Sequence, residues 1–302
     1  MKLSVVVPCY NEAVNVSEFE SELSKALLKE KITYEIIFID DGSMDDTYSK
    51  LSSLNKANKN VKVIRFSRNF GKESAMLAGL KNASGSYVAI MDADLQHTPE
   101  MLVLMYKKLI NDDSFDCCCA YKSNREDEGS LKRTLTSLFY KINNKISDVK
   151  LLPGASDFRV FKKSVCDAIT SLDEKTRFLK GMFSWVGFNT IYVPYIPEKR
   201  MYGTSKWSLF KLLKYSLGGI ISFSTKPIKS VFIIGVVALI VGLLNFILMG
   251  NLANRTIILF ISFIMLQLGI ISLYVSRIYS NILNRPCYII KEKLGFSDKS
   301  SK

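Results

Sequence analysis

Carboxylates recur in this chain at intervals that can bring them to one place. Asp40-Asp41-Gly42-Ser43 and Asp92-Ala93-Asp94-Leu95-Gln96 each follow a short apolar run, and Pro8-Cys9-Tyr10-Asn11-Glu12 follows a third. Grouped without a counter-charge, such carboxylates repel and raise one another's pKa. A hard divalent cation removes that cost, because carboxylate and amide oxygens are its preferred donors. Asp92 and Asp94, two apart on an extended turn, can face one Mg2+ or Mn2+ ion, with Gln96 as a neutral third ligand. A solvated acidic turn has the same local pattern but leaves the other two acidic points unexplained. Asp41 is placed to accept from ribose hydroxyls, and Tyr10 offers a ring for stacking or for packing at a strand edge. His97 is the single histidine, which nearly rules out a Ser/His/Asp hydrolase. Beside the acidic motif and ahead of Pro99, it suits a functional role or a capping role equally.

The elements that must position these residues alternate. Lys2–Pro8, Tyr34–Ile39, Asn60–Phe66 and Ser86–Met91 read as strands, with helical patterns over Asn15–Glu30 and Gly71–Asn82. Strands alternating with helices predict an α/β fold with a doubly wound, mostly parallel sheet. In such sheets ligands bind at the carboxyl ends of the strands, where all three acidic points fall.

Charge is divided along the chain. Residues 1–129 hold 16 basic and 20 acidic side chains, net −4, whereas 130–302 hold 25 basic and 8 acidic, net +17. The split argues against a uniformly basic nucleic-acid binder, and the 48% hydrophobic content argues against disorder. The six cysteines lack paired zinc-ligand spacing, and Cys117-Cys118-Cys119 reads as a buried strand in a reduced protein. The N-terminal apolar run is too short for a signal peptide.

Two apolar runs stand near the C-terminus. Val231–Met249 is 19 residues without a charge, about 28 Å as a helix, against a bilayer core of about 30 Å. Thr256–Ser276 is a second uncharged run, and Gly250–Arg255 joins them as a hairpin loop. Lys226 and Lys229 precede the first run, and Arg277, Arg285, Lys291 and Lys293 follow the second. That bias places both termini in the cytoplasm. Trp207–Phe223 reads as an amphipathic helix at the membrane interface. Leu131–Val149 reads equally as such a helix or as one packed on the sheet. Arg125, Arg159, Arg200 and Lys206, with Ser205 as a hydroxyl donor, are candidates to meet an anionic phosphate at that surface. For each of them a solvated surface charge is the competing reading.

Taken in order, these stretches resemble glycosyltransferase family 2, of GT-A fold. More narrowly they resemble its branch that moves a sugar onto a polyprenyl phosphate, which includes dolichol-phosphate mannose synthase and bacterial bactoprenol glucosyltransferases. Further matches are Arg68-Asn69-Phe70-Gly71-Lys72-Glu73, Gly154-Ala155-Ser156-Asp157-Phe158-Arg159, Lys180-Gly181 with Trp185, and Arg200-Met201-Tyr202-Gly203-Thr204-Ser205-Lys206. The ending Arg285-Pro286-Cys287-Tyr288-Ile289-Ile290 also fits. The resemblance implies a nucleotide-sugar site of Pro8, Tyr10, Asn11, Glu12, Asp41, Lys72 and Asp92, and a metal site of Asp92, Asp94 and Gln96. It implies Asp157 as the catalytic residue, acting as base or orienting the acceptor, and Arg125, Arg159, Arg200, Ser205 and Lys206 at the acceptor phosphate. Lys122 stands where many relatives carry Arg, and the Gln-x-x-Arg-Trp motif of processive synthases is absent, so one sugar per acceptor is expected.

The expected organisation is a catalytic domain over 1–205, an amphipathic interface helix and linker over 206–229, a two-helix transmembrane hairpin over 230–278, and a basic cytoplasmic tail over 279–302. The expected protein is a multi-pass bacterial inner-membrane enzyme with its catalytic domain in the cytoplasm. Its expected partners are a UDP-sugar, glucose first with N-acetylglucosamine and galactose as competitors, and undecaprenyl phosphate. A diacylglycerol acceptor and a non-catalytic membrane scaffold are the alternative readings. Gly235 and Gly242 permit close helix approach and with it a homo-oligomer.

Overall fold

The computed structural model describes residues 2–122, 130–175, 177–195, 218–219, 221–248 and 253–296. Strands β1 (Lys2–Cys9), β2 (Thr33–Asp40), β3 (Val61–Phe66) and β4 (Tyr87–Ile90) alternate with helices α1 (Val16–Lys29), α2 (Thr47–Ala57) and α3 (Lys72–Asn82). After β4 come α4 (Pro99–Asn111), β5 (Cys117–Lys122), α5 (Ser130–Ile146), β6 (Ala155–Lys162), α6 (Lys163–Thr170), α7 (Leu179–Trp185) and β7 (Thr190–Tyr195). Two long helices, α8 (Lys226–Leu248) and α9 (Ala253–Ile282), precede a last strand, β8 (Ile290–Leu294).

The strands form one eight-stranded sheet in the order β7-β5-β6-β4-β1-β2-β3-β8. Pairings β4-β1-β2-β3 and β5-β7 are parallel; β6 runs antiparallel to β4 and β5, and β8 antiparallel to β3. Leu3–Val7 and Ile36–Ile39 are fully buried, as expected of central parallel strands covered on both faces. On one face Phe19, Leu23 and Leu27 of α1 join Leu102 and Met105 of α4. On the other, α3 packs so closely that a Cβ on Gly79 would meet Val6 at 2.2 Å. Phe178, Met182, Phe183 and Phe223 complete that second core. All six cysteines are free, and burial pushes the Cys117 and Cys118 thiols up to about 12.

The segment expected as a basic tail is part of this sheet. After α9 the chain stacks Tyr288 on Phe66, ring centroids 5.0 Å apart, and lays β8 along β3. The strand was hidden in the sequence because Lys291, Glu292 and Lys293 interrupt it, as suits an exposed edge.

Helix α5 answers both readings given to Leu131–Val149. Phe139 and Tyr140 pack against the core, while Leu138 and Ile142, one turn apart, stay exposed beside Lys141 and Lys145. Its C-terminal end joins the root of α8: Asp148 N donates to the Phe223 carbonyl, and Ser224 Oγ to the Ile146 carbonyl. The expected interface helix lies outside the described residues over 207–217.

Among the described residues one segment, Phe263–Ile282, is long and apolar enough to cross a membrane, and none of it is buried within the protein. This corrects the expectation of two spans and of a multi-pass chain. The first run contributes no such segment among the described residues, several of its positions between 239 and 248 having no described side chain. The segment extends beyond Ser276 because α9 stays helical through Arg277 to Ile282. Arg277 is accommodated by donating to the Gly218 carbonyl and the Ser222 hydroxyl. The two helices pack on each other, with Gln267 Nε2 donating to the Val231 carbonyl at 3.3 Å. A Cβ on Gly235 would lie 3.7 Å from the Gln267 amide, at ordinary contact distance within the pair.

Candidate active site

Strand register explains why residues far apart in sequence meet. Because β6 is antiparallel to β4, with Arg159 opposite Ile90, the start of β6 lies beside the residues that follow β4. Asp157 therefore comes next to Asp92. β1 and β2 end in register at Cys9 and Asp40, and β5 and β7 at Lys122 and Tyr195. One edge of the sheet thus gathers Asp40, Asp41, Asp92, Asp157 and Tyr195.

Lys72 reaches that edge from the first turn of α3. The loop before it is held by Asp41, whose carboxylate oxygens accept from Phe70 N at 2.6 Å and Gly71 N at 2.9 Å. Gly42, at φ +66°, lets the β2–α2 turn press against the same loop, where a Cβ would meet the Arg68 carbonyl carbon at 2.4 Å. Lys72 Nζ then lies 2.7 Å from Asp92 Oδ1, 2.8 Å from Asp92 Oδ2 and 3.3 Å from Asp157 Oδ2. Lys180 Nζ, donating to the Ala155 carbonyl at 3.0 Å, lies 4.0 Å from Asp157 Oδ1.

These cations decide the charge state of Asp157. Burial alone would raise its pKa, but Lys180, Lys72 and Arg159 together hold it well below the usual carboxylate range. The group is ionised at every physiological pH. Asp41 behaves oppositely: burial pushes it up to about 6 despite its two amide bonds. At 3% exposure, Asp41 anchors the loop before α3 through both carboxylate oxygens, directly after β2.

The other expected nucleotide residues brace neighbouring loops. Asn11, in the left-handed region at φ 53°, donates through its backbone N to Ser43 Oγ at 2.9 Å and accepts from Met44 N through Oδ1. Glu12 N donates to Thr47 Oγ1 at 2.8 Å. Pro8 and Tyr10 are half-buried at the end of β1. Within the acidic motif, Leu95 takes φ 56°, and Gln96 N donates to Asp94 Oδ1 at 3.2 Å.

Asp92, Asp94 and Gln96 are half-buried oxygen donors on one turn, the chemistry that Mg2+ or Mn2+ prefers, so the donor set fits such an ion. No group of three or more His, Cys, Asp or Glu arranged to hold a metal occurs among the described residues.

Arg159 departs from its expected place. It is 5% exposed, donates from Nε to the Ser156 carbonyl and lies over the Phe183 ring at 4.3 Å. Its charge helps to hold Asp157 ionised. Arg125, Arg200, Ser205 and Lys206 lie outside the described residues.

Two features were missed by sequence reasoning. Lys180 was visible as part of a motif but carried no assigned role. His97 is a tether: its Nε2 lies 3.0 Å from Tyr195 Oη and 3.3 Å from Ser156 Oγ, and its ring packs on Phe158. It joins the acidic loop to the ends of β6 and β7. Burial holds its pKa down at about 4, so it is neutral. Tyr195 left no signal in the sequence that could have found it.

The whole chain was compared with known proteins. It is 36% identical to the SfII prophage-derived bactoprenol glucosyl transferase of Shigella flexneri, covering 97% of this chain and 98% of that protein. It is also 36% identical to the prophage bactoprenol glucosyl transferase homolog of Escherichia coli K12, covering 96% and 99%. The fold is like that of glucosyl-3-phosphoglycerate synthase from Mycobacterium tuberculosis, at a TM-score of 0.50 and 17% identity, over 73% of this chain and 77% of that one. The family model of glycosyl transferase family 2 matches residues 4–170, the span that carries the acidic edge and Asp157. The chain is a glycosyltransferase and belongs to glycosyl transferase family 2.

Proposed function

We propose that this enzyme transfers one hexose, glucose first among the candidates, from a UDP-sugar to undecaprenyl phosphate at the cytoplasmic face of the bacterial membrane, with inversion. The observation that carries the reading is the joining of Asp92, Lys72, Asp157 and Lys180 at one sheet edge, on a domain rooted in an exposed apolar helix pair. The names of the Shigella and Escherichia relatives, bactoprenol glucosyl transferases, support the lipid acceptor and the sugar. The M. tuberculosis synthase, solved with Mn2+ and UDP-glucose, directs attention to the same pair of ligands here.

In this reading Asp92, Asp94 and Gln96 hold the divalent ion, which when bound neutralises the diphosphate as the sugar–phosphate bond breaks. Lys72 and Lys180 stabilise charge around the reacting centre. A phosphomonoester with a second pKa of about 6 is already mostly ionised at neutral pH, so its oxygen needs little proton removal. Asp157, ionised and flanked by cations, orients that acceptor through them. Arg125, Arg200, Ser205 and Lys206 supply the acceptor phosphate contacts, and Pro8, Tyr10, Asn11 and Glu12 line the nucleotide.

Segment Phe263–Ile282 of α9, packed on α8, is the membrane element. The root of α8 is bonded to α5 through Ser224, and the exit from α9 feeds β8 into the sheet. The exposed Phe232, Ile233, Met265, Leu266 and Ile282 give the pair an apolar surface suited to lipid.

The test uses the full chain in detergent with Mg2+ or Mn2+, a panel of UDP-glucose, UDP-N-acetylglucosamine and UDP-galactose, and undecaprenyl phosphate. UDP release and a sugar-labelled lipid are expected with UDP-glucose, and only when the lipid phosphate is present. Transfer to diacylglycerol instead would refute the acceptor, preference for another donor would refute the sugar, and no release with any lipid would favour a scaffold.

A further inference from the structure

Both oxygens of Asp92, the carboxylate expected to meet the metal, are taken by one ammonium: Lys72 Nζ lies 2.7 Å from Oδ1 and 2.8 Å from Oδ2. The same ammonium reaches Asp157 at 3.3 Å, which ties the metal side of the site to its acceptor side. Resting on the metal and nucleotide-sugar reading above, we propose that Lys72 is a resident counter-cation that occupies the acidic edge between turnovers and makes metal binding depend on the donor's diphosphate.

Charge balance carries the argument. Lys72 holds Asp92 and Asp157, and Lys180 and Arg159 stand beside Asp157, so these two carboxylates are already offset by resident cations. A divalent ion arriving alone brings two positive charges beside an ammonium that already holds its ligand. A UDP-sugar arriving alone brings two negative charges beside three carboxylates. Arriving together they leave the balance unchanged, and Lys72 can exchange Asp92 for a phosphate oxygen while the ion takes the carboxylate. The coupling is reciprocal: the nucleotide tightens the metal by the factor with which the metal tightens the nucleotide. Lys72 is suited to this because its loop is anchored by Asp41 while its side chain stays about one-third exposed, open to an arriving phosphate. A lysine ammonium, as a point charge on a flexible stem, can change partners where an arginine fork is geometrically committed.

Even with bulk-water screening, a unit charge about 5 Å from a divalent ion changes its affinity more than about tenfold. The experiment is a Mn2+ titration of the full chain in detergent, read by the loss of the free-ion electron paramagnetic resonance signal, with and without UDP. In the wild type, UDP is expected to tighten Mn2+ at least about tenfold. Lys72→Met is expected to bind Mn2+ alone at least about tenfold tighter than the wild type, with a smaller UDP effect. Lys72→Arg keeps the charge and is expected to keep weak binding of Mn2+ alone. Equal Mn2+ affinity of the wild type and Lys72→Met without UDP overturns the proposal. So does a wild type whose Mn2+ affinity ignores UDP, a measurement that stands even if the variant fails to fold. Mn2+ binding to none of the proteins, UDP present or absent, instead refutes the metal-dependent reading on which the proposal rests.

Discussion

Replacing Asp157 by Asn tests whether this carboxylate works by charge or by taking a proton. The change keeps size and removes one negative charge from between Lys72 at 3.3 Å and Lys180 at 4.0 Å. At an effective dielectric constant of about 20, each such pair is worth roughly 4–5 kcal/mol of gross Coulomb attraction. The lysines are 34% and 25% exposed, so solvent leaves a net of about 1–2 kcal/mol per pair. Losing that organisation in the transition state corresponds to a fall in kcat of about 10²- to 10³-fold. Nucleotide affinity should change less than about threefold, because Asp92 and the β1–α1 loop are untouched. The assay is UDP release by Asp157→Asn and wild type between pH 5.5 and 8.5, with UDP binding measured separately. Since Asp157 is held below the usual carboxylate range, both proteins should share one acidic limb near pH 6, from ionisation of the acceptor phosphate. Wild-type turnover in Asp157→Asn refutes the assignment. A limb between pH 6 and 7 present in the wild type and lost in the variant would show Asp157 to be a general base of ordinary or raised pKa, and would refute the electrostatic reasoning.

Two stability measurements probe the frame that holds the site. Glu35, buried beneath the sheet with Lys62, Lys2, Ser4 and Ser84, has its pKa lowered to about 2 because these partners outweigh its burial. Its folded pKa is depressed, so its contribution, on the order of 3 kcal/mol, is fully present above about pH 4.5 and lost as the pH falls towards 2. Glu35→Gln should therefore lower the thermal midpoint at pH 7, with the gap to wild type narrowing between pH 5 and 3; a gap independent of pH over that interval would disprove the ion-pair account. Ending the chain after Leu283 removes Tyr288 and β8 and bares the β3 edge. The truncated protein should lose several degrees of thermal stability and form aggregates on size-exclusion chromatography, and a monodisperse protein of unchanged stability would show that β8 is dispensable.

The alternation of apolar runs with helical patterns was enough to specify a doubly wound sheet, because burial on both faces leaves the central strands almost no polar residues. Three acidic strand ends followed from that pattern alone, since the strand-end rule needs only element order. The C-terminal helices were legible as apolar length, but how the chain returns from them to the sheet was not. The charged β8 is a strand only because β3 offers an unpaired edge. The role of Asp41 was likewise invisible, because a carboxylate at a strand end serves a ribose or a loop according to what folds over it. Arg159 looked like a surface cation until strand alternation and Phe183 placed it inward.

Residue types, their order and the local periodicities thus determined the fold class, the acidic strand ends on one edge, and membership in a sugar-transferring family. Only the tertiary structure decided that Lys72 clamps Asp92 to Asp157, that His97 ties the acidic loop to Tyr195, and that the helix pair is rooted at both ends in one domain. The reason is physical. Periodicity is a property of neighbours along the chain, whereas each of these contacts depends on strand register and crossover, which bring together residues as distant as Val63 and Leu294.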